Sequence, residues 1–389
     1  MASLPVVRIT SKGLRWYRTG HPWLYRDDLA RDPGLAGGEL VRVLDPGERP
    51  LGQAFYSAAS RIALRFLTRG EEMVDRAFWA ARLEAALAWR RRMVEGYEAY
   101  RLIFGESDGF PGLVVDTYAG HLAVQALHAG MERRLPELQD LFVSRLAPRS
   151  ITLRHDVEVR RLEGLPLEVR TVYGELPERV LVRQGAVRLL VDLRRGQKTG
   201  LFLDQRENYR VAAGWSRGEV LDAFAYQGGF ALHLAPGARR VTLVESSEAA
   251  LTHARENARL NGLDNLEYVR ENLFAFLKTS VQTGRRFDVI VLDPPAFAKS
   301  RTERAGALRG YQEINRRAFQ LLNPGGVLIT CSCSYNLSEP EFLDLVRQAA
   351  AAAGRQARLV EKRGAAPDHP ALLSLPESLY LKCFILVAD

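Results

Sequence analysis

Five short apolar segments between Gly218 and Ser334 do most to limit what this chain can become. They read "GEVLDAFAY", "RRVTLVES", "LEYVREN", "FDVIVLDPP" and "GGVLITCSCS", with helical patterns among them. Strands so uniformly apolar are buried on both faces. Strand–helix alternation then predicts a parallel sheet covered on either side. One helix is "SEAALTHARENARLNG", capped by Ser246 or Ser247 and stopped by Gly262. Another carries Leu308, Tyr311, Ile314, Ala318 and Leu321 at helical spacing and stops at "NPGG".

This pattern starts near residue 186, and the 389-residue chain is too long for one ordinary core. Residues 1–70 read as short strands and turns, with turn chemistry at Asp45-Pro46-Gly47 and a strand at "RIALRFL". Residues 71–185 read as a small α+β unit. In it, Asp75 caps a helix with Trp79, Leu83, Leu87 and Val94 on one face. Two strands follow, joined at "DTYAGH", then a helix over 131–147 and further strand-like segments.

The charged fraction of 26% and hydrophobic fraction of 47% are those of a soluble globular protein. No apolar run reaches the ~18 residues a bilayer span needs, and the N-terminus lacks the apolar core of a signal peptide. Three cysteines are an odd number in a large chain, which argues against a disulfide framework and for a reducing cytoplasm. The net charge of +8 favours a polyanionic partner. In "KGLRWYRTGHPWLYRDDL", Lys12, Arg15, Arg18, His21 and Arg26 interleave with Trp16, Tyr17, Trp23 and Tyr25. Cations bind phosphates and aromatics stack on bases, so the mixture suits RNA. Such aromatics also serve as ordinary core.

Ligands of open α/β sheets bind beyond the carboxyl ends of the strands. Here the first strand ends at Asp222, and the loop Phe224–Gly228 leads with Gly229 into a helix. GxGxxG is missing, which argues against a dinucleotide and a dehydrogenase. Glu245 and Ser246 end the second strand, where a carboxylate suits ribose hydroxyls. Asn272 follows the third, in reach of an adenine, and "DPPAF" from Asp293 follows the fourth, where two prolines stiffen the turn.

That ordered set resembles the class I S-adenosylmethionine-dependent methyltransferases. With "GQKTGLFLDQREN", "DPPAFAKS", "RGYQEIN", "TCSCS" and "LPESLYLKCFIL", the whole chain resembles the RlmI-type family, which makes 5-methylcytosine in large-subunit (23S) ribosomal RNA. The resemblance implies an α/β fold class: a class I, Rossmann-like methyltransferase domain over 186–389. An N-terminal β-rich PUA domain over 1–70 and a middle α+β domain over 71–185 precede it. It implies S-adenosylmethionine as cofactor, held by Arg206, Asp222, Phe224, Tyr226, Gly228, Glu245, Ser246, Asn272 and Asp293. Expected partners are ribosomal RNA or a large-subunit precursor, and a second copy of the chain. Lys12, Arg15, Arg18, Arg194, Arg195 and Lys198 are the candidate RNA contacts, and neither a membrane nor a metal is expected.

Carbon 5 of cytosine is a poor nucleophile until a thiolate adds to carbon 6, so the scarce cysteines matter. Cys331 and Cys333 lie too close for an unstrained disulfide. With Cys383 and seven scattered histidines they make no four-ligand zinc set. Packing and nucleophilic roles remain. Packing suits Cys331 inside the strand, whereas Cys333 lies at the functional end between two serines. The family's catalytic cysteine has that setting, which implies Cys333. The resemblance likewise makes Asp293 the acid at ring nitrogen 3. Two positions depart from related enzymes: Ala296 stands where many carry a second cysteine, and Asn272 where an aspartate is common.

Overall fold

The computed structural model describes residues 4–297 and 304–389, which form two compact units. The first holds the chain up to Val182 with Val191–Leu201 and Pro367–Ser378. The second holds Arg183–Leu190, Phe202–Ala366 and Leu379–Asp389.

The first unit begins with β1 (Val6–Arg8), α1 (Ser11–Arg18), β2 (Trp23–Tyr25), β3 (Leu40–Leu44), β4 (Pro50–Tyr56) and β5 (Ile62–Phe66). Its strands form one sheet in the order β1-β3-β4-β5-β2. The expected turn joins β3 to β4, with Asp45 Oδ1 accepting from the Gly47 and Arg49 amides at 2.8 and 3.0 Å. Helix α1 differs from the expected strands and turns. Thr10 caps it by accepting from the Gly13 amide at 3.0 Å. Gly13 is needed because an added Cβ would lie 2.7 Å from the Asp28 carbonyl oxygen.

The unit continues with α2 (Arg76–Met93), β6 (Ala99–Phe104), β7 (Leu113–Tyr118), β8 (His121–Ala126), α3 (Ala129–Leu146), β9 (Ser150–Arg154) and β10 (Val169–Gly174). These strands make a second sheet in the order β10-β9-β8-β7-β6. Asp75 caps α2 through Phe78 N at 2.9 Å. Trp79 and Leu83 are buried, and Phe55 of β4 stacks on Trp79 at 6.4 Å, so both halves of the unit share a core. Residues 191–201 and 367–378, expected in the third domain, join this unit through buried polar anchors. Arg154 donates to the Leu193 and Gly196 carbonyls at 2.9 and 2.7 Å, and Asp368 accepts from the Arg101 amide at 2.8 Å. A hairpin of β11 (Val180–Gln184) and β12 (Val187–Val191) spans the division in sequence.

The second unit contains α4 (Arg206–Ala213), β13 (Glu219–Ala223), α5 (Gly229–Leu234), β14 (Arg240–Glu245), α6 (Glu248–Leu260), β15 (Leu266–Arg270) and α7 (Leu273–Gln282). It ends with β16 (Phe287–Leu292), α8 (Arg304–Leu321), β17 (Leu322–Ser332), α9 (Glu339–Ala352), β18 (Ala357–Arg363) and β19 (Lys382–Ala388). The sheet order is β15-β14-β13-β16-β17-β19-β18. β13 to β17 are parallel, as the apolar segments predict. The last two strands are antiparallel, so the sheet is mixed rather than wholly parallel. β18 returns to β19 without a crossover helix, and antiparallel pairing accepts such a connection.

Apolar cores lie against both faces, one including Ile290, Ile314 and Phe342, the other Leu243, Leu251 and Ile329. The strand order reverses between β13 and β16, which makes their carboxyl ends the switch point where a ligand cleft forms. Among the described residues, no helix is long and apolar enough to cross a membrane.

Candidate active site

The loop after β13 is wound unusually tightly. Phe224, Tyr226 and Gly228 all have positive φ, at 62°, 48° and 81°. For residues bearing a Cβ such backbone costs on the order of 1–3 kcal/mol each, and it concentrates at functional sites. Two carboxylates hold the loop. Asp222, fully buried, accepts from the Ala231 amide at 2.8 Å, and Glu245 accepts from the Tyr226 amide at 3.1 Å. Glu245 also accepts from Ser246 Oγ at 3.1 Å and the Ser247 amide at 2.9 Å, which fixes the exit of β14. The two loop glycines have separate reasons. Gly228 supplies a left-handed turn, whereas a Cβ on Gly229 would lie 2.7 Å from the Tyr209 ring and hydroxyl.

Asn272 is the N-cap of α7, its Oδ1 accepting from the Phe274 and Ala275 amides at 3.0 and 3.4 Å. The acceptor end is thus engaged, which leaves the side-chain NH2 as the donor of this residue. Asp293, at the end of β16, accepts from Gln205 Nε2 at 2.9 Å, and Gln205 Oε1 accepts from Asn208 at 2.6 Å. Gln205 was not singled out by sequence reasoning. Its only signal is its place in "GLFLDQREN", because an amide carries no charge pattern. Arg206, next to it, is buried with its Nε 3.5 Å from Glu207.

Three carboxylates therefore meet at the strand ends. Burial pushes the Asp222 carboxyl up to about 8, and the charges of Asp293 and Glu245 add to the effect. The negative charges of Asp293 and Glu245 fit a cationic ligand, and the sulfonium and ammonium of S-adenosylmethionine supply that charge.

Cys333 lies just past β17, half-buried, with its Sγ 3.9 Å from the carbonyl oxygen of Pro294. This contact joins the two motifs by bringing the end of β17 against the residue after Asp293. Ser332 and Ser334, on either side, are buried and bonded to the Tyr311 hydroxyl at 3.2 and 2.9 Å. Cys331 is opposite Cys383 in the β17–β19 register, and both are buried free thiols. Burial raises the Cys331 thiol well above the ordinary range. Ala296 follows the prolines, half-buried, and residues 298–300 of "DPPAFAKS" lie outside the described residues.

The candidate RNA contacts fall in the first unit. Lys12, Arg15 and Arg18 are exposed on α1, and Lys12 and Arg15 border a surface cavity of about 410 Å³ with Trp16, Thr19, Tyr25 and Asp28. Trp23 instead donates to Glu106 at 2.7 Å, and Tyr17 to the Leu51 carbonyl at 2.7 Å, so these aromatics are tied into the fold. Arg194 donates to the Leu176 carbonyl at 2.7 Å, while Arg195 and Lys198 are exposed on the same segment. Among the described residues, one cluster has metal-like composition: Glu132, His155 and Glu168. The Ala126 amide donates to His155 Nε2 at 3.2 Å, so the neutral ring keeps its proton on Nδ1, the atom facing the carboxylates. That tautomer cannot ligate a metal there.

A family model described as S-adenosylmethionine-dependent methyltransferase matches residues 152–378, and one described as PUA-like domain matches residues 7–69. A protein named ribosomal RNA large subunit methyltransferase I from Klebsiella pneumoniae is 41% identical over 94% of this chain and 93% of its own. Its namesake from Aeromonas hydrophila is 42% identical over 95% of each chain. The chain belongs to this methyltransferase family. Its fold is that of a methyltransferase solved as a complex with SAH, at a TM-score of 0.85 and 20% identity over 98% of this chain and 99% of that one. A SAM-dependent methyltransferase from Streptococcus mutans gives 0.84 over the same shares. The methyltransferase uses S-adenosylmethionine, and the carboxylate-lined end of β13, β14 and β16 is chemically suited to it.

Proposed function

We propose that this methyltransferase modifies carbon 5 of a cytosine in large-subunit ribosomal RNA through a covalent adduct on Cys333. One observation carries the reading: Cys333 Sγ sits 3.9 Å from the carbonyl oxygen of Pro294, so a half-exposed thiol lies against the residue that follows Asp293. The names of the 41–42% identical relatives support ribosomal RNA as substrate. So does the PUA-like match over the basic N-terminal region.

In this reading the cofactor binds along Asp222, the 224–228 loop, Glu245, Ser246 and Asn272, with Arg206 beside it, and supplies the methyl group as an electrophile. The Cys333 thiolate adds to carbon 6, which makes carbon 5 electron-rich. Asp293, steadied by Gln205, holds a proton at ring nitrogen 3 and so drains charge from the adduct. Loss of the carbon 5 proton restores the double bond and expels the thiolate. The target base must leave its stack to reach such a cleft, so unpaired RNA is the expected substrate. Lys12, Arg15, Arg18, Arg194, Arg195 and Lys198 bind its phosphates. A reducing cytoplasm suits an enzyme that needs Cys333 free.

The test is product analysis. Large-subunit RNA is incubated with the enzyme and S-adenosylmethionine, digested to nucleosides and separated by mass spectrometry. 5-Methylcytidine is expected. A methyl group on an exocyclic or ring nitrogen would overturn the assignment, because that chemistry needs no thiolate.

A further inference from the structure

A lysine buried inside the sheet next to the catalytic segment has no part in the mechanism so far. Lys382 opens β19 and pairs in register with Ser332, the residue before Cys333. It is 4% exposed, a rare position for lysine. Its Nζ donates to the Ser334 carbonyl at 2.7 Å and to the Tyr380 carbonyl at 2.8 Å. The cation is thus fastened to the residue after Cys333 by a bond, and to the residue before it by strand register.

Those two bonds use two N–H groups. A neutral amine has two and keeps a lone pair, whereas an ammonium has a third. Both states satisfy the carbonyls, so the site can gain or lose a proton without breaking its anchors. Burial lowers Lys382 to about 8, with the negative charges of Cys333 and Glu339 opposing the shift. Glu339 is itself bound to Lys362 at 2.8 Å. Of the other titratable groups around the segment, Tyr311 on α8 is held neutral by burial, and the Tyr380 hydroxyl donates to Asp204 at 2.7 Å. Arg363, on β18, donates to Asn208 at 2.9 Å. Cys333 is the half-exposed, nucleophilic group of the segment, and its negative charge acts on Lys382.

We propose that Lys382 is the charge partner of Cys333, its buried ammonium favouring the thiolate form of the sulfur. The Sγ–H bond breaks with its proton released to solvent, and the thiolate left behind is stabilised by the fixed positive charge of Nζ. The ammonium stays in place while the sulfur is bonded to carbon 6, and it meets the thiolate again when that bond breaks. Lys382 is a positioning residue that acts through Cys333. The proposal rests on the reading of Cys333 as nucleophile.

The test reads thiolate directly and uses no RNA. Alkylation of Cys333 by iodoacetamide is followed by mass spectrometry from pH 5 to 10, with buried Cys331 and Cys383 as internal controls. In the wild-type enzyme the midpoint should lie about one unit below the ~8.5 of a free thiol. Lys382→Gln should raise it by about one unit, slowing alkylation at pH 7 roughly tenfold, and Lys382→Arg should restore most of the loss by keeping the charge. A wild-type midpoint at or above the free-thiol value would overturn the proposal even if neither variant folds. Superimposable profiles for wild type and a folded Lys382→Gln would assign Lys382 a merely structural role. Failure of the nucleophile reading is separate: Cys333→Ala would still form a covalent adduct with RNA, whatever the alkylation profile.

Discussion

Cys331 and Cys333 would share one face of an unbroken strand, because side chains alternate with a period of two. β17 ends at Ser332, so only the first is sealed between β19 and the apolar core. Cys331→Ala should therefore cost about 1–2 kcal/mol in denaturant unfolding and keep adduct formation. Cys333→Ala should change stability by less than about 0.5 kcal/mol and abolish turnover. Sequence order separated these two sulfurs, since position along the strand is a property of sequence. Gln205 was not legible in that way. Its bonds to Asp293 and Asn208 cross 88 and 3 positions, and only the fold brings the first pair together. Gln205→Leu, which removes the amide donor to Asp293, should lower kcat roughly tenfold with S-adenosylmethionine affinity nearly unchanged.

Among the elements, the parallel core was readable because its central strands are mostly apolar and several of its helices carry local caps. Ser247, one of two candidate caps for α6, accepts from the Ala250 amide at 3.3 Å, and Gly262 follows the helix with φ of 65°. Helix α1 was hidden, since its eight residues hold three basic side chains and a glycine, a composition that says surface before it says helix. β18 and β19 were hidden for another reason: strand direction depends on the connection, which apolarity does not encode. The loop from β13 into α5 depends on the bare Cα of Gly229. Gly229→Ala forces Tyr209 aside and should weaken S-adenosylmethionine binding roughly tenfold by calorimetry, an overpacking cost of about 1.4 kcal/mol.

For the whole molecule, charge links cofactor, RNA and pH. With its carboxyl raised to about 8, Asp222 is mostly protonated at pH 7. A cationic ligand among the three carboxylates favours the ionised form, so binding should release a proton. Affinity for S-adenosylmethionine should then rise with pH through 7 and level off above about 8, as calorimetry in buffers of different ionisation enthalpy would record. The folded chain also keeps a proton there that the unfolded chain gives up. Stability from this group therefore falls as pH rises from about 4 to about 8, and Asp222→Asn should flatten that slope. The net charge of +8 predicts RNA binding that weakens steeply with salt, and reversing Lys12, Arg15 and Arg18 to glutamate should reduce the salt slope by about two to three. The most direct test of the account is trapping with RNA that carries 5-fluorocytosine, whose fluorine cannot leave as the carbon 5 proton does. With S-adenosylmethionine present, a covalent protein–RNA species should accumulate, and peptide mapping should find the base on Cys333. An active enzyme that gives no adduct, or gives one on Cys331, would contradict the account.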